Sequence, residues 1–238
     1  MKKVILAIVT MLAATTLATA QMRPTIKVEA GANFANQTMK AGNLSLDGKM
    51  MIGYRAGVGV EFGITDGFYV NPGLYFLSRG SKSTVETPEI AGISTKTTNT
   101  TWLHNVEVPV HVGYRAALAP GMAVSIQAGP WFSYGFLGKA IQIRKTTVTG
   151  EGKIADAARK AAEAADDAAN DAANKGENSP YKNKVLKPFD LGVGMQAGFE
   201  YQQLGVNLGF EYGLLNTSAF KNTKVNNMNF YVGLGYRF

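Results

Sequence analysis

The C-terminal stretch 228–238, MNFYVGLGYRF, decides how the rest of the chain is read. Met228, Phe230, Val232, Leu234, Tyr236 and Phe238 fall on one face of an extended backbone, and Asn229, Tyr231, Gly233, Gly235 and Arg237 fall on the other. A repeat of two is the period of a β-strand. The same alternation recurs upstream, with Ile26, Val28, Ala30, Ala32 and Phe34 set against Lys27, Glu29 and Asn33. It returns in Ile52 to Phe62, Phe68 to Phe76, Val106 to Tyr114, Met122 to Phe136, Phe189 to Phe199 and Leu204 to Tyr212, which makes eight runs in all.

Most runs are longer than the ~5–6 residues of soluble strands and match the ~9–11 that cross a bilayer when tilted. A soluble sandwich would crowd its polar face with Lys and Glu. Here that face is rich in Gly and sparse in charge, which suits the narrow bore of an eight-stranded barrel. Apolar outside and polar inside is the membrane-barrel arrangement. The connections at 36–51, 80–101, 137–187 and 216–227 are long, those at 63–67, 116–121 and 202–203 are short, and the two kinds alternate. An all-β fold follows: an eight-stranded antiparallel up-and-down transmembrane β-barrel with tight turns at one end and long loops at the other. Pro72, Pro109 and Pro130 interrupt the runs, and a bulge is expected near Pro109.

Residues 1–20 carry Lys2 and Lys3, an apolar run at 4–14 and a small-residue end at Ala18 and Ala20. That is the pattern of a cleaved secretory signal peptide, leaving 21–238 as the barrel domain. Such a chain is exported, and its expected place is the outer membrane of a Gram-negative cell. Cys is absent and His occurs twice, so a zinc or iron centre would depend on carboxylates that suit neither metal, and no cofactor is expected.

The terminal stretch, together with VNPGLYF at 70–76, VEVPVHVGYR at 106–115 and GFEYGLLNTS at 209–218, is similar to the outer membrane protein beta-barrel (porin-like) family common in the Bacteroidota. The resemblance spans the predicted mature chain apart from the third long loop. It implies location and fold and supplies no catalytic residues. It also implies that Phe230, Val232, Leu234, Tyr236 and Phe238 form the signal read by the barrel assembly machinery.

Within the third long loop, 151–175 holds eleven alanines among its 25 residues, which predicts a helix at about 153–175. Such a helix would be roughly 35 Å long and could project past the membrane surface. Ala158, Ala161, Ala165, Ala168 and Ala172 step by three and four, a seam suited to close approach by a surface protein partner.

Inside the bore, Lys27, Arg55, Arg79, Arg115 and Arg237 face Glu29, Glu61, Glu107, Asp190, Glu200 and Glu211. Confined charges must pair or be hydrated, so a lumenal salt-bridge network is expected, with His111 hydrogen-bonded to Glu107. Ser78, Ser81 and His104 near the outer rim lack an identifiable third group for nucleophilic catalysis. The function expected is therefore non-enzymatic, with surface loops in structural or interaction roles; the alternative is a narrow porin or a lumenal small-ligand binder. The formal net charge of +7 is scattered over loops, as at Lys82 and Lys96, and suits outer-membrane lipid and lipopolysaccharide better than nucleic acid.

Overall fold

The computed structural model describes residues 24–41, 44–176 and 178–238; the expected signal peptide at 1–20 lies outside the described residues. Its strands are β1 (Thr25–Ala41), β2 (Leu44–Asp47), β3 (Met51–Thr65), β4 (Phe68–Glu86), β5 (Ile93–Ala119), β6 (Met122–Val148), β7 (Phe189–Tyr201), β8 (Leu204–Gly213) and β9 (Thr223–Arg237). One helix, α1 (Lys153–Asn174), lies between β6 and β7. All strands but β2 form a ring of antiparallel neighbours in chain order, closed where β9 pairs with β1 from Lys27↔Arg237 to Ala41↔Thr223. The short β2 continues the sheet beside upper β1, at Thr38↔Asp47 to Ala41↔Leu44, above the point where β3 takes over at Ala35↔Met51. Closure leaves the ring without the unpaired edges that lipid would not tolerate.

Three connections are two-residue turns, at 66–67, 120–121 and 202–203. Gly67 at φ 79° and Gly121 at φ 78° adopt the left-handed backbone that such turns demand. The strands thus run further into the expected short connections than their apolar residues alone suggest.

At the other end the corrections are larger. The expected loop at 80–101 is mostly strand, with β4 reaching Glu86 and β5 starting at Ile93; β6 continues to Val148, well into the expected 137–187 loop. The stretch TKTTNTT at 95–101 is rich in β-branched Thr, and its ladders with β4 and β6 are continuous. Neither face is apolar there, so the alternation that marks the lower strands disappears. The extra residue Phe136, opposite His104 and Asn105, makes a bulge where this hairpin leaves the ring. No register shift occurs at Pro109. Pairing between β4 and β5 lapses between Pro72↔Val110 and Tyr75↔Glu107 and resumes in the same register.

The helix forms where expected, but it does not stand free. It lies along β6, with Asn170 bonded to Arg144 and Asn174 to Gln142. Its buried residue is Asp166, whereas Ala161, Ala165, Ala168 and Ala172 of the expected seam are exposed and Ala158 is half-buried. Polar side chains, not the small ones, thus make the intramolecular contact.

The radial arrangement is unambiguous. Leu234 is 68% exposed and Phe238 72%, while Glu107 and Trp131 are fully buried. Aromatic pairs mark both ends of the apolar belt: Phe68 and Tyr114 at 4.8 Å and Tyr236 and Phe238 at 4.8 Å near the turns, Phe34 and Phe230 at 6.2 Å nearer the loops. No helix among the described residues is long and apolar enough to cross a membrane.

Candidate functional site

The ring folds eight of its inward charged residues into two stacked squares, each made of two arginines and two glutamates. In the central square, Arg55 of β3 and Arg79 of β4 alternate with Glu107 of β5 and Glu211 of β8. Arg55 Nη2 lies 3.3 Å from both Glu107 Oε1 and Glu211 Oε1; Arg79 Nη2 lies 3.2 Å from Glu211 Oε2 and also pairs with Glu107. Asn229 donates to Glu211 Oε2 at 3.0 Å. In the lower square, toward the tight turns, Arg115 Nη2 lies 2.8 Å from Glu61 and 2.9 Å from Glu200. Arg237 closes it at 3.0 Å and 3.3 Å from the same two carboxylates. Each square is neutral, and together they tie six strands across the bore.

Salt bridges alone do not satisfy the guanidinium groups. Nε and Nη1 of Arg55 and of Arg79 have no hydrogen-bond partner. Aromatic faces stand beside these cations instead: Arg55 lies 3.7 Å over the Tyr75 ring and 4.4 Å over Tyr231, and Arg79 lies 4.5 Å over Trp131. The ring quadrupole attracts a desolvated cation. The inward glycines make room for these plates. A Cβ on Gly209 would come within 2.0 Å of Tyr231, and one on Gly192 within 2.2 Å of Trp131.

Outside the squares the bore is filled by a further ion pair and by amide bonding. Lys27 Nζ donates to Asn207 at 2.9 Å and lies 3.5 Å from Glu29, and Tyr231 donates to Gln196 at 2.9 Å. Asp190 is held by amides, accepting from Asn227 at 2.7 Å and from the Leu191 N–H at 2.9 Å. His111 is buried, but its Nε2 has no hydrogen-bond partner, and the expected bond to Glu107 is absent among the described contacts because that carboxylate faces the two arginines.

The loop end is covered by residues 178–188. Ser179 is buried, and the Tyr181 ring presses on Gly135, where a Cβ would meet it at 2.1 Å. Burial pushes the Tyr181 phenol up to about 12, so it stays a neutral group. This short segment, not the Ala-rich helix, reaches inward at the loop end.

Trp131, Tyr75, Tyr231 and Tyr181 were not among the expected site residues. For the first three a signal existed, since each is a large aromatic on the face that otherwise carries Gly. Tyr181 lies outside any strand, and nothing local marks it as a lumenal group.

Ser78, Ser81 and His104 are not bonded to one another in the contacts of the described residues. His104 Nδ1 lies 3.1 Å from the Tyr54 hydroxyl, and Ser81 donates to Gln37 at 2.9 Å. Ser78 is His104's cross-strand neighbour, and its carbonyl accepts from Asn33; among the described residues no carboxylate bonds to either. Along β9, Phe230, Leu234, Tyr236 and Phe238 face outward, and the Phe238 N–H donates to the Ile26 carbonyl at 2.9 Å.

A family model described as outer membrane protein beta-barrel domain matches residues 19–219. The chain belongs to that family. Its outward apolar belt and closed ring are what residence in the outer membrane requires, and the tight turns of this outer-membrane barrel face the periplasm. Solved structures similar to it include Ail, the attachment invasion locus protein of Yersinia pestis, at 12% identity and a TM-score of 0.38 over 91% of this chain and 100% of that one. Neisserial surface protein A is 11% identical, with a TM-score of 0.39 over 90% of this chain and 97% of that one. The outer membrane protease OmpT from Escherichia coli is 9% identical, with a TM-score of 0.43 over 92% of this chain and 98% of that one. No curated protein matches the chain.

Proposed function

We propose that this barrel is non-enzymatic and closed to flow, and that its work is done by what it displays outside the membrane. One observation carries the reading: two neutral charge squares and their aromatic plates fill the bore beneath the 178–188 strap. An ion entering would have to displace charges that are already paired across the bore. The narrow-pore or lumenal-binder reading draws on a cavity of about 300 Å³ at the periplasmic end, lined by Glu61, Tyr69, Arg115 and Arg237. Above it Arg79, Glu107 and Trp131 are almost wholly buried, which favours a dead end over a channel.

Planar-bilayer recording of pure protein separates the two readings. We expect no discrete openings in 1 M salt; steady unitary steps from the wild type would overturn the closed-bore reading.

On this reading the outer leaflet, including lipopolysaccharide, meets exposed lysines on the hairpin. Lys96 and Lys145 are cross-strand neighbours, and Lys82 and Lys139 lie lower on the same sheet. A surface protein could take the exposed Ala161, Ala165, Ala168 and Ala172 side of α1. The assembly machinery would read Phe230, Val232, Leu234, Tyr236 and Phe238. Deleting Phe238 is then expected to lower the amount of barrel in the outer membrane while refolding in micelles is little changed. Equal losses in both would make Phe238 a stability residue instead.

A further inference from the structure

The outward face of β4, β5 and β6 turns from apolar to cationic within a few rows. Going up from the lipid belt, successive cross-strand rows read Phe76, Val106 and Tyr134, then Ser78, His104 and Leu137, then Gly80, Trp102 and Lys139, then Lys82, Thr100 and Ile141. Strand geometry gives the depth of each row. From Phe68, beside the tight turns, to Ser78 the strand climbs about 34 Å along its axis, or about 25 Å of membrane height at the tilt of such barrels. That is the height of the apolar band of an outer-membrane barrel. Trp102 therefore stands at the interface, where indole rings settle, and Lys82 and Lys139 flank it at the level of the lipid headgroups.

These cations have no counter-ion of their own. Lys49 bridges to Lys82 through backbone bonds of 2.7 and 3.2 Å, so both side chains leave the sheet on one face. Their Cα atoms are about 5.5 Å apart, as in any hydrogen-bonded antiparallel pair. Like charges set directly opposite each other weaken a sheet. Lys49, Lys82 and Lys139 are exposed, and among the described residues no carboxylate bonds to any of them. Higher on the same face Lys96 and Lys145 repeat the pairing, but there Glu86 stands 3.5 Å from Lys96.

We infer that Lys49, Lys82 and Lys139, with Trp102 fixing their depth, form a site for the phosphate groups of a phosphorylated glycolipid of the outer leaflet, the chemistry of lipopolysaccharide. The membrane then supplies the anion that the fold lacks at this level. Lys82 and Lys139 lie two strands apart and one row out of level, about 12 Å by strand spacing and rise, so two phosphates on one headgroup can each take a lysine. The ammonium groups donate charge-assisted bonds to the phosphate oxygens. This site rests on the outer-leaflet contact proposed above and narrows it to three lysines and one chemical group.

The test uses the full-length protein in neutral detergent micelles, titrated with lipopolysaccharide that keeps its lipid phosphates and with the same material after enzymatic removal of those phosphates. Heat-modifiable gel migration reports a closed ring for every variant. The wild type is expected to bind the phosphorylated form at least about tenfold more tightly. Lys49→Gln, Lys82→Gln and Lys139→Gln combined should erase that preference. Lys40→Gln, Lys96→Gln and Lys145→Gln combined remove the same charge elsewhere on the outward face and should weaken binding less than about threefold. Equal losses from the two triple variants would make the contact diffuse and overturn the site while the outer-leaflet reading stands. Wild-type binding that ignores the phosphates, or that is tighter for soluble polyphosphate than for the lipid, would also overturn it. No binding by the wild type would remove the site and the outer-leaflet contact together.

Discussion

Glu211→Ala is expected to destabilise the barrel by about 3 to 5 kcal/mol, read as a lowered urea midpoint in micelles. Glu211 accepts from Arg55, Arg79 and Asn229 at 3.3, 3.2 and 3.0 Å, and all four side chains are buried. Without it, two guanidinium groups share the Glu107 carboxylate, and the central square carries an uncompensated positive charge inside a low-dielectric bore. The cost is that of the orphaned cation and exceeds the net worth of the pair. Replacing the whole square by apolar residues of similar volume should therefore cost less than the single change. The exposed pair Lys96 and Glu86, 3.5 Å apart with side chains 54% and 59% accessible, is the contrast. Glu86→Ala should move the midpoint by less than about 1 kcal/mol. Equal effects at Glu211 and Glu86 would show that the square contributes nothing special.

Gly31→Val is expected to prevent the ring from closing. Gly31 faces Gly233 across the β1 and β9 seam. A Cβ there would lie 2.0 Å from the Val232 carbonyl oxygen and 2.5 Å from the Gly233 Cα. Both obstacles are backbone, so no rotamer change relieves them, and β1 must move off its partner. Overpacking usually costs about 1 to 3 kcal/mol, and here the upper end or more applies, because displaced ladder bonds cannot be replaced by water in lipid. The expected result is loss of the heat-modifiable band. Gly63, where a Cβ would meet nothing within 4 Å, provides the control, and Gly63→Ala should fold as the wild type does. A Gly31→Val protein that keeps the heat-modifiable form would mean that the seam is looser than the described geometry.

What could be read in advance divides along physical lines. Where lipid bathes one face, as on either side of Leu234, the alternation is strong and the strands are legible residue by residue. On the hairpin both faces of Thr97 or Thr100 meet water or polar groups, so the period of two carries no signal, and a strand there reads as loop. The helix was evident from its alanines. Its docking was not, because Asp166, Asn170 and Asn174 read equally well as a solvated face until the upper β6 edge beside them is known. Inward charges such as Arg55 and Glu211 could be named from their strand faces. Their sorting into squares could not, since Arg55 and Glu211 are 156 residues apart in the chain and meet only because of how the strands stagger around the ring.

The emergent part of β5 and β6 has a consequence for encounters at the cell surface. From Leu137 to Val148 the hairpin climbs about 37 Å along its own axis, most of it beyond the aromatic belt. Its crest around Ile90 and Thr149 therefore stands well away from the lipid-facing part of the ring. On the reading proposed above, a large protein approaching from outside the cell would meet that crest before the ring.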